Sequence, residues 1–131
     1  MNPATPQNPP QKLQFWIIWI AMLGGLPVMQ YAIAGGWPEG GDQGDVPASL
    51  LLITVAGIFA STLVRWVVLP RVKTPQTLLT TMVIGLALAE ATWLLGNFLM
   101  SSDFPETQRN AFILSFLGMC QFVPTYAKDL K

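Results

Sequence analysis

Four apolar stretches separated by short polar connections dominate the chain and restrict it to a helical membrane fold. The longest uninterrupted stretch covers residues 78–100 and contains a single ionisable residue, Glu90. At about 1.5 Å per residue, such a helix can cross the ~30 Å hydrocarbon core of a bilayer. Of the 131 residues, 52% are hydrophobic and only 11% are charged. Soluble domains have about 25% charged residues, so the composition indicates an integral membrane protein.

The apolar stretches predict an all-α integral membrane protein, an antiparallel bundle of four transmembrane helices. Its membrane domain, residues 15–127, follows a Pro-rich tail, residues 1–14, that we expect to be disordered. The predicted spans are residues 15–34, 47–69, 76–100 and 110–126. The last of these is shorter than the usual ~20 residues and contains Gln121 and Pro124. An interfacial position therefore stays open as an alternative for the fourth stretch.

The distribution of basic residues predicts the orientation of the bundle. On one side of a four-span arrangement lie Lys12, Arg65, Arg71, Lys73, Lys128 and Lys131. Arg109 is the single basic residue on the other side, together with the acidic residues of the two connections there. Because positively charged connections stay in the cytoplasm, we predict that both termini are cytoplasmic, in a bacterial inner membrane.

The first apolar stretch has a second interpretation. Lys12, the apolar segment and the sequence Ala32-Ile33-Ala34-Gly35 together resemble a secretory signal with a small-residue cleavage site. Cleavage there would leave three spans with unchanged orientation. A single Lys after a Pro-rich tail is a weak basic region for a signal, and the apolar segment is long for one, so we favour a retained span.

The residue inventory excludes several kinds of chemistry. The chain has one cysteine, Cys120, and no histidine, so it has neither an intrachain disulfide nor a His-based triad or zinc site. We therefore predict no metal and no cofactor. The connections also lack a Gly-rich phosphate-binding motif, which argues against an enzyme, and nothing in the sequence suggests nucleic-acid binding.

Glu90 is the first candidate for a functional residue. A charged group near the bilayer midplane costs roughly 3 kcal/mol or more, and such groups usually have a functional role and a partner. Trp93 and Asn97 share the Glu90 face of the third helix, and Thr54 and Ser61 form a narrow polar stripe on the second helix that could face it. These five residues form a candidate ion-binding site. The alternative is a protonated Glu90 that is hydrogen-bonded to a neighbouring helix.

Two further groups of residues have predicted structural roles. Gly85, Ala89 and Gly96 lie on one side of the third helix, where small residues let membrane helices approach closely. Arg65 lies about 6 Å from the inner end of its helix and Glu90 about 22 Å from that end, too far apart for an ion pair. We therefore expect Arg65 to reach the cytoplasmic face, near anionic headgroups, and to join the basic residues Arg71 and Lys73 there.

The segment ALAEATWLLG, residues 87–96, resembles the ion-carrying helix of the proteolipid c subunits of rotary ATPases. In that family an A-x-x-E-A pattern is followed by a Gly six residues after the Glu, and the resemblance implies that Glu90 would carry a proton or sodium ion. The helices before Glu90 lack the Gly-rich run of those proteolipids. The chain is also similar in size and span number to small multidrug-resistance exporters, which have their membrane Glu in the first helix.

Three classes of function follow from these observations. The first is a non-enzymatic subunit or accessory component of a membrane assembly, which we favour, because so small a bundle buries few polar groups by itself. The second is a proton- or cation-linked transport component centred on Glu90. A membrane enzyme is the third and has the least support. In addition to the lipid bilayer, the expected partners are further copies of the chain or other membrane subunits.

Overall fold

The computed structural model describes residues 11–99 and 103–127. Within these ranges every regular element is helical: α1 (Gln11–Ala32), α2 (Ala48–Leu63), α3 (Pro75–Phe98) and α4 (Pro105–Cys120). Three helical segments are long and apolar enough to cross a membrane, namely Gln11–Ala32, Ala48–Arg71 and Pro75–Phe98. Most of the predicted tail, together with Lys128 and Lys131, lies outside the described residues.

Local signals explain where the long helices begin and end. Helix α1 starts at Gln11, so residues 11–14 are helical and not part of a tail. Helix α2 continues through a π-helical turn, Val64–Val68, and a 3-10 turn, Leu69–Arg71. At the start of α3, Pro75 occupies the first turn and the Thr74 side chain accepts a hydrogen bond from Thr77 N–H, a common way to begin a helix.

Helix α3 is the centre of the bundle and packs against the other three helices, whereas α1 does not contact α2. Small residues allow two of these close approaches. A Cβ added at Gly57 of α2 would lie 2.9 Å from Thr92 Oγ1, and one added at Gly96 would lie 2.6 Å from Ala111 Cβ of α4. The large buried side chains of the core include Phe15, Leu86 and Trp93.

Helix α4 differs from the predicted fourth span, residues 110–126. It begins at Pro105 and ends at Cys120, which leaves 16 residues, and it is not among the helices long enough to span a membrane. After a turn, the chain continues in a short 3-10 helix, Pro124–Ala127. The prediction placed the start five residues late because the signal that begins this helix, Asp42, lies far away in the sequence.

Asp42 lies in the α1–α2 loop, residues 33–47, and caps α4. Its Oδ1 accepts hydrogen bonds from Glu106 N–H at 2.9 Å and Thr107 N–H at 3.2 Å, and its Oδ2 accepts one from the Thr107 hydroxyl at 2.5 Å. Arg109 donates to Pro38 O at 2.8 Å in the same loop. A carboxylate at a helix N-terminus satisfies free N–H groups and interacts favourably with the helix dipole, so these contacts dock the loop onto α4.

Candidate functional site

Gln30 links the end of α1 to α3 through both atoms of its side-chain amide. Its Oε1 accepts a hydrogen bond from Trp93 Nε1 at 2.6 Å, and its Nε2 donates one to Gly36 O at 2.6 Å. Only 1% of Gln30 and 0% of Trp93 are exposed. Gly36 has a positive φ of 122°, which turns the loop back over the helix end and brings its carbonyl to the amide. A buried amide with both ends paired is a stable arrangement, so Gln30 fixes α1 against α3.

A cavity of about 380 Å³ lies beside this amide, and we call it the Gln30 cavity. Its volume lies within the range of small-molecule sites, roughly 300–1,000 Å³. It is bounded by the end of α1, the loop after it and the last turns of α3, and its lining includes Gln30, Trp37, Trp93, Asn97, Phe98 and Gln108. Among the described residues that line it, none is ionisable. The described lining therefore offers side-chain amides and aromatic rings, and it includes no general acid, base or nucleophilic thiol.

Two predicted site residues, Trp93 and Asn97, line this cavity. Asn97 Nδ2 donates to Trp93 O at 2.9 Å, one turn earlier in the same helix. Glu90 is not among the lining residues; it is half-buried and lies one turn before them on the same side of α3. In the part of the chain that the structure describes, no side chain forms a hydrogen bond or an ion pair with the Glu90 carboxyl.

The structure does not bring Thr54 and Ser61 to Glu90. Ser61 donates to Gly85 O at 2.8 Å, and Thr54 is also buried in the α2–α3–α4 interface. Thr92 contacts α2 through Gly57, and Glu90 is two residues away from Thr92, about 200° around the helix. The polar stripe of α2 therefore faces the opposite side of α3, and the predicted five-residue site is split.

A second, smaller cavity of about 130 Å³ lies between α2, α3 and α4. Thr54 and Thr92 both line it. Their hydroxyls, and that of Ser115 on α4, are buried and have no hydrogen-bond partner among the described residues. A buried hydroxyl without a partner costs about 1–3 kcal/mol, and a cavity of this size has room for water.

The predicted packing residues Gly85, Ala89 and Gly96 are all buried in the helix interfaces. Gly85 lies directly beneath the ring of Phe122, so closely that an added Cβ would clash with it. Ala89 lies opposite Gly118 of α4, where an added Cβ would approach the Ala89 Cβ to 3.3 Å. These contacts join α3 to α4 and to the turn after it.

The predicted basic residues lie at the other end of the bundle. Arg71 and Lys73 are exposed in the connection between α2 and α3. Arg65 is half-buried, and its Nε donates to Gln121 O at 2.6 Å. Its guanidinium also lies 4.3 Å from the centre of the Trp66 ring and 5.0 Å from that of Tyr126. Arg65 thus connects α2 to the turn that follows α4.

Sequence reasoning missed the partners of Gln30 and the role of Asp42. Gln30 is the only strongly polar side chain in the apolar part of α1, a pattern that signals a hydrogen-bond partner but not which one. Asp42 is one of several acidic residues in a Gly-rich loop, and nothing local distinguishes it. Within residues 11–99 and 103–127 no three His, Cys, Asp or Glu side chains lie together as metal ligands would.

No protein-family model, no curated protein and no solved structure matches this chain.

Proposed function

We propose that the protein is a non-enzymatic subunit or accessory component of a membrane assembly in the bacterial inner membrane. In this proposal it forms an antiparallel bundle of four transmembrane helices, with both termini in the cytoplasm. Its partners are the lipid bilayer and either further copies of the chain or other membrane subunits. The described lining of the Gln30 cavity includes no ionisable group and so offers no general acid or base.

One observation carries the proposal: Glu90 has no partner among the described residues, although it lies in the middle of an apolar helix. A carboxyl in the hydrocarbon region needs a hydrogen-bond donor or a cation. The side of α3 that carries Glu90 also carries the exposed Leu94, which leaves this side accessible to another chain. A donor from a neighbouring subunit would satisfy the carboxyl there.

Substitution of Glu90 tests this proposal through the oligomeric state of the protein. Glu90→Gln keeps a neutral hydrogen-bonding group and should preserve the assembly, whereas Glu90→Ala leaves the partner's donor unsatisfied, at about 1–3 kcal/mol per contact. Size-exclusion chromatography with light scattering in mild detergent measures the difference. Glu39→Ala removes an exposed loop carboxyl and is the matched control. A monomeric wild-type protein that also forms no cross-links in native membranes would refute the proposal.

A cation-linked transport component is the second candidate function. Glu90, Trp93 and Asn97 follow one another on one side of α3 and lead from the Gln30 cavity towards the middle of the helix. An aromatic ring beside a carboxyl can contribute to a cation site. This arrangement could pass an ion between the cavity and Glu90.

Carbodiimide labelling separates the two candidates, because the reagent modifies protonated carboxyls in apolar surroundings. An ion-binding Glu90 should be labelled at neutral pH and protected by sodium or by high pH. A Glu90 that is covered by a partner subunit should resist labelling in the assembly and react only after dissociation. Sodium protection together with normal assembly of Glu90→Gln would favour transport over the accessory role.

A further inference from the structure

One end of the bundle gathers basic side chains, and we call it the basic end. Gln11 and Phe15 of α1 line a groove together with Pro75 of α3, so the first turns of these two helices lie side by side. Lys12, Arg71 and Lys73 therefore lie at the same end of the bundle, and Arg65 lies about two turns before Arg71. The described residues of this end, 11–20, 63–79 and 119–127, include four basic side chains and no Asp or Glu.

Arg65 is the most firmly positioned of these basic residues. Its guanidinium lies against the rings of Trp66 and Tyr126, and its Nε donates to Gln121 O. Trp66 Nε1 in turn donates to Gln121 Oε1 at 3.1 Å. The π-helical turn Val64–Val68 contains both Arg65 and Trp66, and such turns often occur at functional sites. Contacts with Trp66, Tyr126 and Gln121 therefore fix the Arg65 side chain without a ligand.

The guanidinium keeps most of its hydrogen-bonding capacity. It has five N–H groups, of which the Nε–H donates to Gln121 O. No described residue accepts a hydrogen bond from Nη1 or Nη2, and no described carboxylate neutralises the charge. Adjacent N–H groups on a planar guanidinium match two oxygens of a phosphate.

The surroundings of Arg65 favour a phosphate that is attached to a lipid. Trp66, whose ring lies against the guanidinium, is 61% exposed, and Leu63 and Val68 in the same helical segment are 60% and 45% exposed, so the outside of this segment is apolar. Acyl chains can pack against these side chains while the headgroup reaches Arg65. A soluble phosphate would gain nothing from them.

We propose that Arg65 binds the phosphate group of an anionic phospholipid at the basic end, with Trp66 and Tyr126 fixing the guanidinium and Arg71 and Lys73 adding positive charge. This proposal does not depend on Glu90 or on the accessory role. The phosphate of a free anion and that of a lipid headgroup share the same chemistry, and the experiment separates them.

Native mass spectrometry of the purified protein with equal amounts of phosphatidylglycerol and phosphatidylcholine tests the site. The wild-type protein should retain phosphatidylglycerol preferentially. Arg65→Lys keeps the charge but loses the planar fork, and it should lower that preference roughly tenfold. Arg109→Lys makes the same replacement at the opposite end of the bundle, outside the proposed site, and is the control that should change the preference little. An Arg65→Lys protein that keeps the full preference would show a diffuse charge effect, and an equal loss in the control variant would show an effect that is not specific to Arg65; either result would overturn the proposal.

Two further measurements test the proposal even if Arg65→Lys folds poorly. Tyr126→Leu removes one ring, leaves the charge, and should lower the preference by less than Arg65→Lys does. Inorganic phosphate at an ionic strength matched with sodium chloride should not displace phosphatidylglycerol; specific displacement would assign the site to a soluble phosphate instead. A wild-type protein that retains both lipids equally would refute the lipid site, whatever the variants do.

Discussion

Single polar side chains decide how the apolar helices of this protein are joined. Gln30 joins α1 to α3, and Ser61 joins α2 to α3, each through hydrogen bonds of 2.6–2.8 Å in buried surroundings. Apolar contact alone does not distinguish one helix partner from another, because lipid tails are as apolar as leucine. Gln30 and Ser61 therefore each select a specific partner on α3.

We expect Gln30→Leu to destabilise the protein by about 2 kcal/mol or more, because Trp93 Nε1 and Gly36 O would both lose their buried partner. Titration with a denaturing detergent measures the free energy of unfolding. Gln76→Leu makes the same replacement at an exposed position of α3 and should have little effect. Equal stability of the two variants would show that water replaces the amide at Gln30.

A second residue-scale prediction concerns the glycines. Gly85→Ala should cost about 1–3 kcal/mol, because the added methyl group would clash with the ring of Phe122. Gly24→Ala makes the same replacement in α1, where an added Cβ meets no atom within 4 Å, and it should be neutral or stabilising by up to about 1 kcal/mol. The same unfolding titration compares them. A tolerated Gly85→Ala would mean that Phe122 moves easily.

At the scale of the elements, α4 is notable because contacts from distant residues hold both of its ends. Asp42 caps the start of α4. At the C-terminal end of α4, backbone carbonyls accept hydrogen bonds from other helices: Trp19 Nε1 donates to Met119 O at 2.9 Å, and Arg65 Nε donates to Gln121 O. Non-helical backbone at membrane depth is tolerated only where protein groups or water satisfy it. These contacts explain how a 16-residue helix fits into a bundle of longer ones.

The Asp42 cap on α4 predicts that the stability of the folded protein depends on pH. Burial alone would raise the pKa of Asp42, but the hydrogen bonds from Thr107 and Glu106 and the charge of Arg109 lower it below its ordinary value. A carboxyl with a lowered pKa stabilises the folded protein above its unfolded-state pKa of about 3.9, and that stabilisation is lost as the pH falls through the folded-state value. We therefore expect the loop to loosen only in strong acid.

Asp42→Ala should lower the free energy of unfolding by about 1 kcal/mol at neutral pH, the typical value for a lost helix cap. It should also make that free energy fall less steeply as the pH is lowered into the acid range. Asp45→Ala removes an exposed carboxyl of the same loop and is the control. Unfolding titrations between neutral and acid pH measure both effects. An unchanged slope in the acid range for Asp42→Ala would show that other carboxyls dominate the pH dependence.

At the scale of the whole molecule, the two ends of the bundle carry opposite charge. The basic end has no acidic residue among those described, whereas the other end holds Asp42, Asp103 and Glu106 near α4 and Glu39 in the docked loop. Positive charge resists translocation across the membrane, so the basic end should face the cytoplasm.

Single cysteines introduced into a Cys120→Ala background test this orientation. Lys73→Cys lies at the basic end and Gln43→Cys in the loop at the opposite end. In intact cells freed of their outer membrane, a membrane-impermeant maleimide should label the second position and not the first. Thr125→Cys lies after α4 and should behave like Lys73→Cys if that segment returns to the basic end. The opposite pattern would invert the proposed topology.

The hydropathy of the sequence determined the helical class and three long apolar helices, because length and composition alone decide whether a helix can span a bilayer. The grouping of Trp93 and Asn97 was also predictable, since their spacing along one helix places them on one side. Sequence periodicity cannot show which neighbour faces that side. Thr54 and Ser61 were therefore assigned to Glu90, although they face the opposite side of α3.

Only the tertiary structure decided the contacts between distant residues: Gln30 with Trp93, Asp42 with the start of α4, and Arg65 with Gln121. It also ended α4 at Cys120, short of the apolar stretch that continues beyond it. The physical reason is the same in each case. A polar group buried among apolar helices is stabilised by a hydrogen-bond partner, and position in space, not distance along the chain, decides which partner it meets.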